Sequence, residues 1–396
     1  MKDIDLAKYG FEKLVLKDGE SAPTVVVGLS GGVDSSVVAY ILKWQGYRVI
    51  GVFMKNWEEK DDMGFCTSDA DFEDVKRVAE YVDIPYYAVN FSKQYMDQVF
   101  KEFLHGLEMG YTPNPDILCN REVKFGPFLE YALGLGADYV ATGHYARRQK
   151  HDVAFNSSES EFQLLKGLDE SKDQSYFLCG LSQSQLRHTM FPIGGIKKEQ
   201  VREIARGVGI PVATKKDSTG ICFIGERKFT DFLKGYFGNQ AGDIETTEGR
   251  KIGRHIGLMY YTIGQKKGLG VGGVSGVVPH GGWYVTHKSL DDNKLIVSSG
   301  DGAELLEKSL HVGEFHSVAR QGVTDLLGAD LSGLVGRKLN AKVRYRQSDQ
   351  VCTVTLLGGG ASMKVEFDVP QRAITPGQWL VLYDGDVCLG GGMIVG

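Results

Sequence analysis

The stretch Ser30-Gly31-Gly32-Val33-Asp34-Ser35 constrains this chain more than any other. It follows an apolar run at 24–29 that reads as a buried strand. It precedes a run at 36–42 that reads as a helix packed on that strand. A glycine pair at such a turn lets the backbone approach an anion closely. The first N–H groups of the helix point at the anion, and the helix dipole favours negative charge there. Ser30, Ser35 and Ser36 add hydroxyl donors, and Asp34 is placed to hold a magnesium ion against phosphate oxygens. No Lys follows the glycines as it would in a Walker loop, so this is a different phosphate cradle. The plainer reading is a tight turn capped by Ser and Asp.

Around that turn the first half alternates strand and helix. Strand candidates fall at 24–29, 47–54, 85–90 and 137–142, with helical patterns at 35–45, 70–82, 93–108 and 120–134. The alternation predicts an α/β fold with a doubly wound parallel sheet and ligands at the carboxyl ends of its strands. The 28–35 loop, Met54 and Gly143-His144 all fall at such ends. Residues 150–161 are polar and read as an exposed hairpin or loop. Near residue 225 the pattern changes to short alternating strands with Gly-rich turns, continuing at 339–345, 351–357, 363–367 and 379–383. The expected organisation is a ligand-binding α/β domain over 1–225, a small β-rich domain over 226–300 and a C-terminal β-barrel or sandwich over 301–396.

At 396 residues the chain has room for two or three cores, and its 42% hydrophobic and 24% charged content is that of an ordinary globular protein. No apolar run approaches the ~20 residues that span a membrane. The N-terminus lacks signal-peptide and transit-peptide character, so a cytoplasmic location with no membrane attachment is expected. The six cysteines are far apart with no CxxC, which argues against a Cys-rich zinc site. In a reducing compartment each is by default a buried small hydrophobe. The net charge of −5 does not advertise nucleic-acid binding, yet residues 226–300 carry 10 Lys and Arg against 7 Asp and Glu. Basic clusters recur at Lys197-Lys198, Lys215-Lys216, Arg250-Lys251, Lys266-Lys267 and Arg344…Arg346. Each alone reads as a solvated surface; together they could serve a large polyanion.

The 30–35 loop resembles the pyrophosphate loop of the ATP pyrophosphatase superfamily, whose members cleave ATP between the α and β phosphates. Three further stretches narrow the resemblance. Tyr111-Thr112-Pro113-Asn114-Pro115-Asp116-Ile117-Leu118-Cys119-Asn120 is a Pro-braced loop presenting Asp116 and Cys119 together. Asp217-Ser218-Thr219-Gly220-Ile221-Cys222 presents a second Cys beside Gly and hydroxyl residues, and Lys172-Asp173-Gln174-Ser175 opens a short helix. With ATGHYAR, YTIGQKKGLG, VRYRQ and TPGQ, this ordered set resembles the tRNA-specific 2-thiouridylases over most of the chain. The 23 residues before the first strand and the 150–161 segment look longer than the family minimum, and Leu29 stands where many members have Met.

The resemblance implies a sulfurtransferase acting on the anticodon stem-loop of tRNA. ATP, with magnesium, would adenylate the C2 oxygen of the wobble uridine, releasing pyrophosphate and then AMP. A persulfide on Cys222 would supply the sulfur, with Cys119 as nucleophilic partner releasing it through a Cys119–Cys222 disulfide. Asp116 would serve as general acid or base. Gly28, Leu29, Ser30, Gly31, Gly32, Val33, Asp34, Ser35, Met54 and Gly143 would form the ATP pocket. Asn114, Pro115 and Asp116 would hold the target base, flipped from its stack. His144, Lys172, Asp173, Gln174, Arg344, Tyr345 and Gln378 would contact tRNA. A persulfide-donating protein is the implied partner, and the chain is expected to work as a monomer. Three other readings stand beside this one. An amide- or guanidine-forming synthetase leaves the two Cys motifs idle. A silent tRNA-binding scaffold leaves the intact cradle and both cysteines idle. A cluster-dependent thiolase would use Asp116, Cys119 and Cys222 to hold iron and sulfur.

Overall fold

Residues Thr24–Gly28 are buried at every position, the pattern of a central strand covered on both faces. They form β1 of a computed structural model that describes residues 4–57, 67–151, 161–217, 228–271, 282–318, 331–357 and 362–396. Strands β2 (Arg48–Lys55), β3 (Tyr86–Asn90) and β4 (Tyr139–Ala141) follow, then a β5–β6 hairpin (Ala146–His151 and Glu161–Lys166), then β7 (Thr189–Met190). The sheet order is β3-β2-β1-β4-β7, with every pair parallel. β1 has β2 on one side and β4 on the other, so the strand order reverses beside β1. A crevice opens there at the carboxyl ends.

The helices in chain order are α1 (Val33–Gln45), α2 (Thr67–Val82), α3 (Ser92–Tyr95), α4 (Lys101–Glu108), α5 (Pro115–Cys119), α6 (Pro127–Gly134), α7 (Gln183–Arg187), α8 (Lys198–Val208) and α9 (Phe229–Phe237). Val25 and Val27 of β1 pack with Val37 and Ile41 of α1 and Val201 and Ile204 of α8. Val26 faces the other way, onto Phe100, Phe103 and Phe128. Two departures from the sequence reading matter. α1 begins at Val33, inside the glycine motif. The stretch read as a Pro-braced loop is itself helical: α5 runs into a π turn at Asn120–Lys124, as α3 runs through one at Met96–Phe100 into α4.

The second sheet, in order β10-β11-β8-β9, comprises β8 (Gly242–Thr246), β9 (Lys251–His255), β10 (Trp283–Ser289) and β11 (Lys294–Ser299). Its Ile244, Val285 and Val297 share a core with Phe100 and Phe103, and α9 adds Phe232 to it. The third sheet comprises β12 (Leu306–Ser317), β13 (Lys338–Lys342), β14 (Gln350–Leu357), β15 (Ser362–Arg372), β16 (Trp379–Asp384) and β17 (Val387–Val395). The order β12-β15-β14-β13-β16-β17 closes on itself through β12–β17, giving a six-stranded antiparallel barrel. Closure leaves these strands no free edge ladder between them. β17 also accepts β6, pairing Val387 with Leu165 and Cys388 with Leu164. The β5–β6 hairpin thus extends the barrel sheet from within the first half. A core of Ile117, Phe125, Tyr176, Trp379 and Val381 fills the seam.

Candidate functional site

The glycine motif folds as a turn that only glycine permits at one position. Gly31 has φ +73°, and a Cβ there would lie 2.6 Å from the Asp71 carbonyl oxygen. Gly32 is the N-cap of α1, and no side chain caps the helix. The hydroxyls are arranged around this turn. The Ser30 N–H donates to Ser35 Oγ at 3.2 Å, and Ser36 Oγ donates to the Gly32 carbonyl at 2.7 Å. Gly143, just beyond β4, abuts the same turn: its Cβ would lie 2.9 Å from the Ser35 nitrogen. A Cβ on Gly28 would touch Met54 Cε at 3.4 Å. The structure therefore brings Gly28–Ser35, Met54 and Gly143 together at the crevice beside β1. Leu29 and Val33 are buried, so they face the core and offer only backbone to a ligand.

Asp34 is already engaged. Both of its oxygens accept from Lys198 Nζ, at 2.7 and 2.8 Å, and Oδ1 also accepts from the Tyr145 hydroxyl at 2.9 Å. A magnesium site needs several oxygen ligands in near-octahedral geometry. Among the described residues no group of three or more metal-capable side chains exists. The donor set does not fit a preformed magnesium site; as placed, Asp34 is the partner of a lysine. Lys198 Nζ also lies 2.8 Å from Asp217 Oδ1. Asp217 accepts from Lys172 Nζ at 3.0 Å and from Arg202. Partial burial opposes the Asp217 charge, but the Lys198 and Lys172 hydrogen bonds outweigh it and hold the carboxyl well below the usual range.

The Asn114–Cys119 stretch is a capped helix start. Asn114 Oδ1 accepts from the Asp116 N–H at 3.2 Å, and Pro115 takes the first helical position, where a missing N–H costs nothing. Asp116 and Cys119, three apart, share one helix face. Burial raises the Asp116 carboxyl above its usual value of 3.8, against a weaker pull from Lys124. Cys119 is 1% exposed. Cys222 and the residues after Asp217 in its motif lie outside the described residues. Burial pushes the thiols of Cys352 and Cys388 up to about 12 and that of Cys179 well above its ordinary value, as inert core cysteines should be.

The residues expected to meet tRNA fall mostly on the seam between the first half and the barrel. Lys172 is half-buried at the surface. Asp173 is buried, accepts from the Gly167 and Ser175 N–H groups, and lies 3.4 Å from Lys342 Nζ of β13. Its carboxylate is thus occupied in joining the two halves. Gln174 Oε1 accepts from the Tyr145 N–H. Tyr345 packs on Phe177 with ring centroids 4.3 Å apart, and Arg344 is exposed beside it. Gln378 donates to the Thr112 carbonyl at 2.7 Å, tying the barrel to the start of the Asn114 turn. His144 Nδ1 lies 2.8 Å from Thr142 Oγ1, near the Phe125 and Phe191 rings; burial pushes it well below its ordinary value, so it is neutral at neutral pH.

Sequence reasoning missed the lysines that approach the glycine turn. Lys198 and Lys215 belong to clusters read as solvated surface. Lys198 is 8% exposed, and Lys215 Nζ donates to Asp71, Asp74 and the Gly31 carbonyl. A helix-period reading of α8 identifies its buried face, but nothing local shows that Lys198, at its first turn, meets a loop far earlier in the chain.

The family described as "tRNA methyl transferase HUP domain" matches residues 23–226. "tRNA methyl transferase PRC-barrel domain" matches 230–299, and "Aminomethyltransferase beta-barrel domain" matches 335–394. The chain is 52% identical over 371 residues to the tRNA-specific 2-thiouridylase MnmA of Exiguobacterium sibiricum, covering 94% of this chain and 93% of that one. It is 51% identical over 375 residues to the protein of the same name from Streptococcus sanguinis, covering 93% and 94%. No helix among the described residues is long and apolar enough to cross a membrane.

Proposed function

The chain belongs to the tRNA-specific 2-thiouridylase family and is a tRNA sulfurtransferase; from that premise we propose that it thiolates the wobble uridine by adenylation followed by persulfide transfer. The observation that carries the reading is the shared helix turn of Asp116 and Cys119, a half-buried acid and a buried thiol, in a chain that also builds the phosphate cradle. Domains over 1–225, 226–300 and 301–396 divide the work of nucleotide chemistry and tRNA binding.

Gly28–Ser35 and Gly143 hold the ATP phosphates through backbone and hydroxyl groups, and Met54 packs beside them. Bound ATP supplies the adenylyl group that turns the C2 oxygen into a leaving group, with pyrophosphate as the other product. Asn114, Pro115 and Asp116 hold the flipped uridine. The Asp116 carboxyl, raised by burial, moves the proton at the reacting base. The terminal sulfur of a Cys222 persulfide attacks C2. The Cys119 thiolate then attacks Cys222 Sγ, a Cys119–Cys222 disulfide forms, and the sulfur stays on C2 as AMP departs. A thiol reductant reopens the disulfide, and a protein persulfide donor reloads Cys222. His144, Lys172, Gln174, Arg344 and Tyr345 contact the anticodon stem-loop. Asp173 and Gln378 act by fixing the seam and the Asn114 turn. The chain acts as a cytoplasmic monomer.

Isotopic sulfur separates the two cysteines. Cys222→Ser is expected to adenylate tRNA yet acquire no labelled sulfur from a persulfide donor. Cys119→Ser is expected to acquire the label on Cys222 and retain it. Label found on Cys119, or thiolation by Cys222→Ser, overturns these roles.

A further inference from the structure

Lys198, outside the motifs, bridges two carboxylates, and nothing in the assigned chemistry uses it. Its backbone N–H donates to Asp169 Oδ2 at 2.9 Å, fixing the start of α8. Its ammonium has three N–H donors and meets three carboxylate oxygens: two of Asp34 and one of Asp217. Asp34 stands in the phosphate cradle. Asp217 carries on its other oxygen Lys172, which stands at the surface proposed to meet tRNA. The four side chains form one unbroken chain, Asp34–Lys198–Asp217–Lys172, running from one proposed polyanion site to the other.

We infer that this chain couples the two sites, with Lys198 as a positioning residue shared between nucleotide and tRNA; the inference rests on the function proposed above. Phosphate oxygens arriving at Ser30–Ser35 compete with Asp34 and Asp217 for the Lys198 donors. When Lys198 turns to phosphate, Asp217 loses one of its three cations and holds the remaining two, Arg202 and Lys172, harder, so Lys172 is less available to tRNA. When Lys172 turns to a tRNA phosphate, Asp217 grips Lys198 harder, and the nucleotide binds less tightly. The two ligands therefore oppose each other through a limited set of cations. By linkage the opposition is equal in both directions. Cleavage of ATP and departure of pyrophosphate return Lys198 to the carboxylates and relieve the opposition while the activated tRNA is still bound.

The test is the tRNA dissociation constant with and without a saturating non-hydrolysable ATP analogue. In the natural protein the analogue is expected to weaken tRNA binding about fivefold, the low end of ordinary coupling. Asp217→Asn should bring that ratio close to one while both ligands still bind. Lys172→Ala, at the surface and away from the cradle, should weaken analogue binding about twofold with no tRNA present. Lys198→Arg should retain the coupling that Lys198→Met loses. An unchanged ratio in Asp217→Asn, or no coupling in the natural protein, overturns the inference. A Lys172→Ala analogue affinity equal to that of the natural protein also counts against it. Failure of the functional reading looks different: the natural protein would then bind neither analogue nor tRNA.

Discussion

At the residue scale, the half-buried acid Asp116 and the glycine contacts are the most exposed to test. Asp116 has a folded-state value raised by burial, so the stability it contributes is present below its usual value of 3.8 and lost as pH rises through the raised value. Its ionised form is therefore a cost at neutral pH. Asp116→Asn is expected to raise the melting temperature at pH 7, with the gain vanishing below about pH 4, while thiolation falls by two to four orders of magnitude as expected for a lost acid–base group. Melting curves across that range, with single-turnover rates, check both halves. A variant less stable at pH 7 than at pH 4 relative to the parent contradicts the burial argument. Residue types were legible here and their surroundings were not. Asp116, Cys119 and the glycines announce themselves, whereas Lys198 reads as half of a surface doublet until the fold places it against Asp34.

At the element scale, two short turns carry the proposed chemistry. The Gly143 position leaves no room for a side chain, since a Cβ would press on the Ser35 nitrogen and on Asp34 Cβ at 3.1 Å. Gly143→Ala should push α1 away from β4 and weaken ATP binding at least tenfold, measured by equilibrium binding, with tRNA affinity retained. The Asn114 cap acts at the other turn. Asn114→Ala removes an acceptor whose loss costs about 1 kcal/mol and frees the start of α5, so kcat should fall more than the melting temperature does. The strand-and-helix alternation was readable because its period is local. The α5 start was missed: the two prolines suggested a loop, where Asn114 caps a helix and Pro115 takes its first position. The π turns at Met96–Phe100 and Asn120–Lys124 left no signal, because an inserted residue shifts the helix period without changing its composition.

At the scale of the whole molecule, three sheets are joined by seams that the sequence does not display. Four of the six barrel strands, β13 to β16, were visible as alternating runs; β12 and β17, whose pairing closes the barrel, were not. The attachment of β6 to β17 was not, because it pairs residues more than two hundred positions apart. A second junction brings Lys288 of β10 against the end of α4, where its ammonium donates to the Gly110 carbonyl at 2.9 Å. Burial pushes Lys288 down to about 8. A lysine with a lowered folded value binds fewer protons folded than unfolded between about 8 and its usual 10.5, so stability rises with pH across that window. Thermal unfolding from pH 7 to pH 10 should show that rise in the parent protein and a flatter profile in Lys288→Met.

The seam also carries the surface proposed for tRNA, with Lys172, Arg344 and Tyr345 from both halves, so substrate binding and the joining of the halves are one problem. The most direct measurement of the whole account is reconstitution: purified protein, unmodified tRNA, MgATP and a protein persulfide donor, followed by mass spectrometry of digested tRNA and counting of nucleotide products. The expected result is 2-thiouridine at the wobble position, with one AMP and one pyrophosphate formed per sulfur transferred. Sulfur transfer without ATP cleavage, ADP in place of AMP, or a methylated uridine in place of a thiolated one would contradict it.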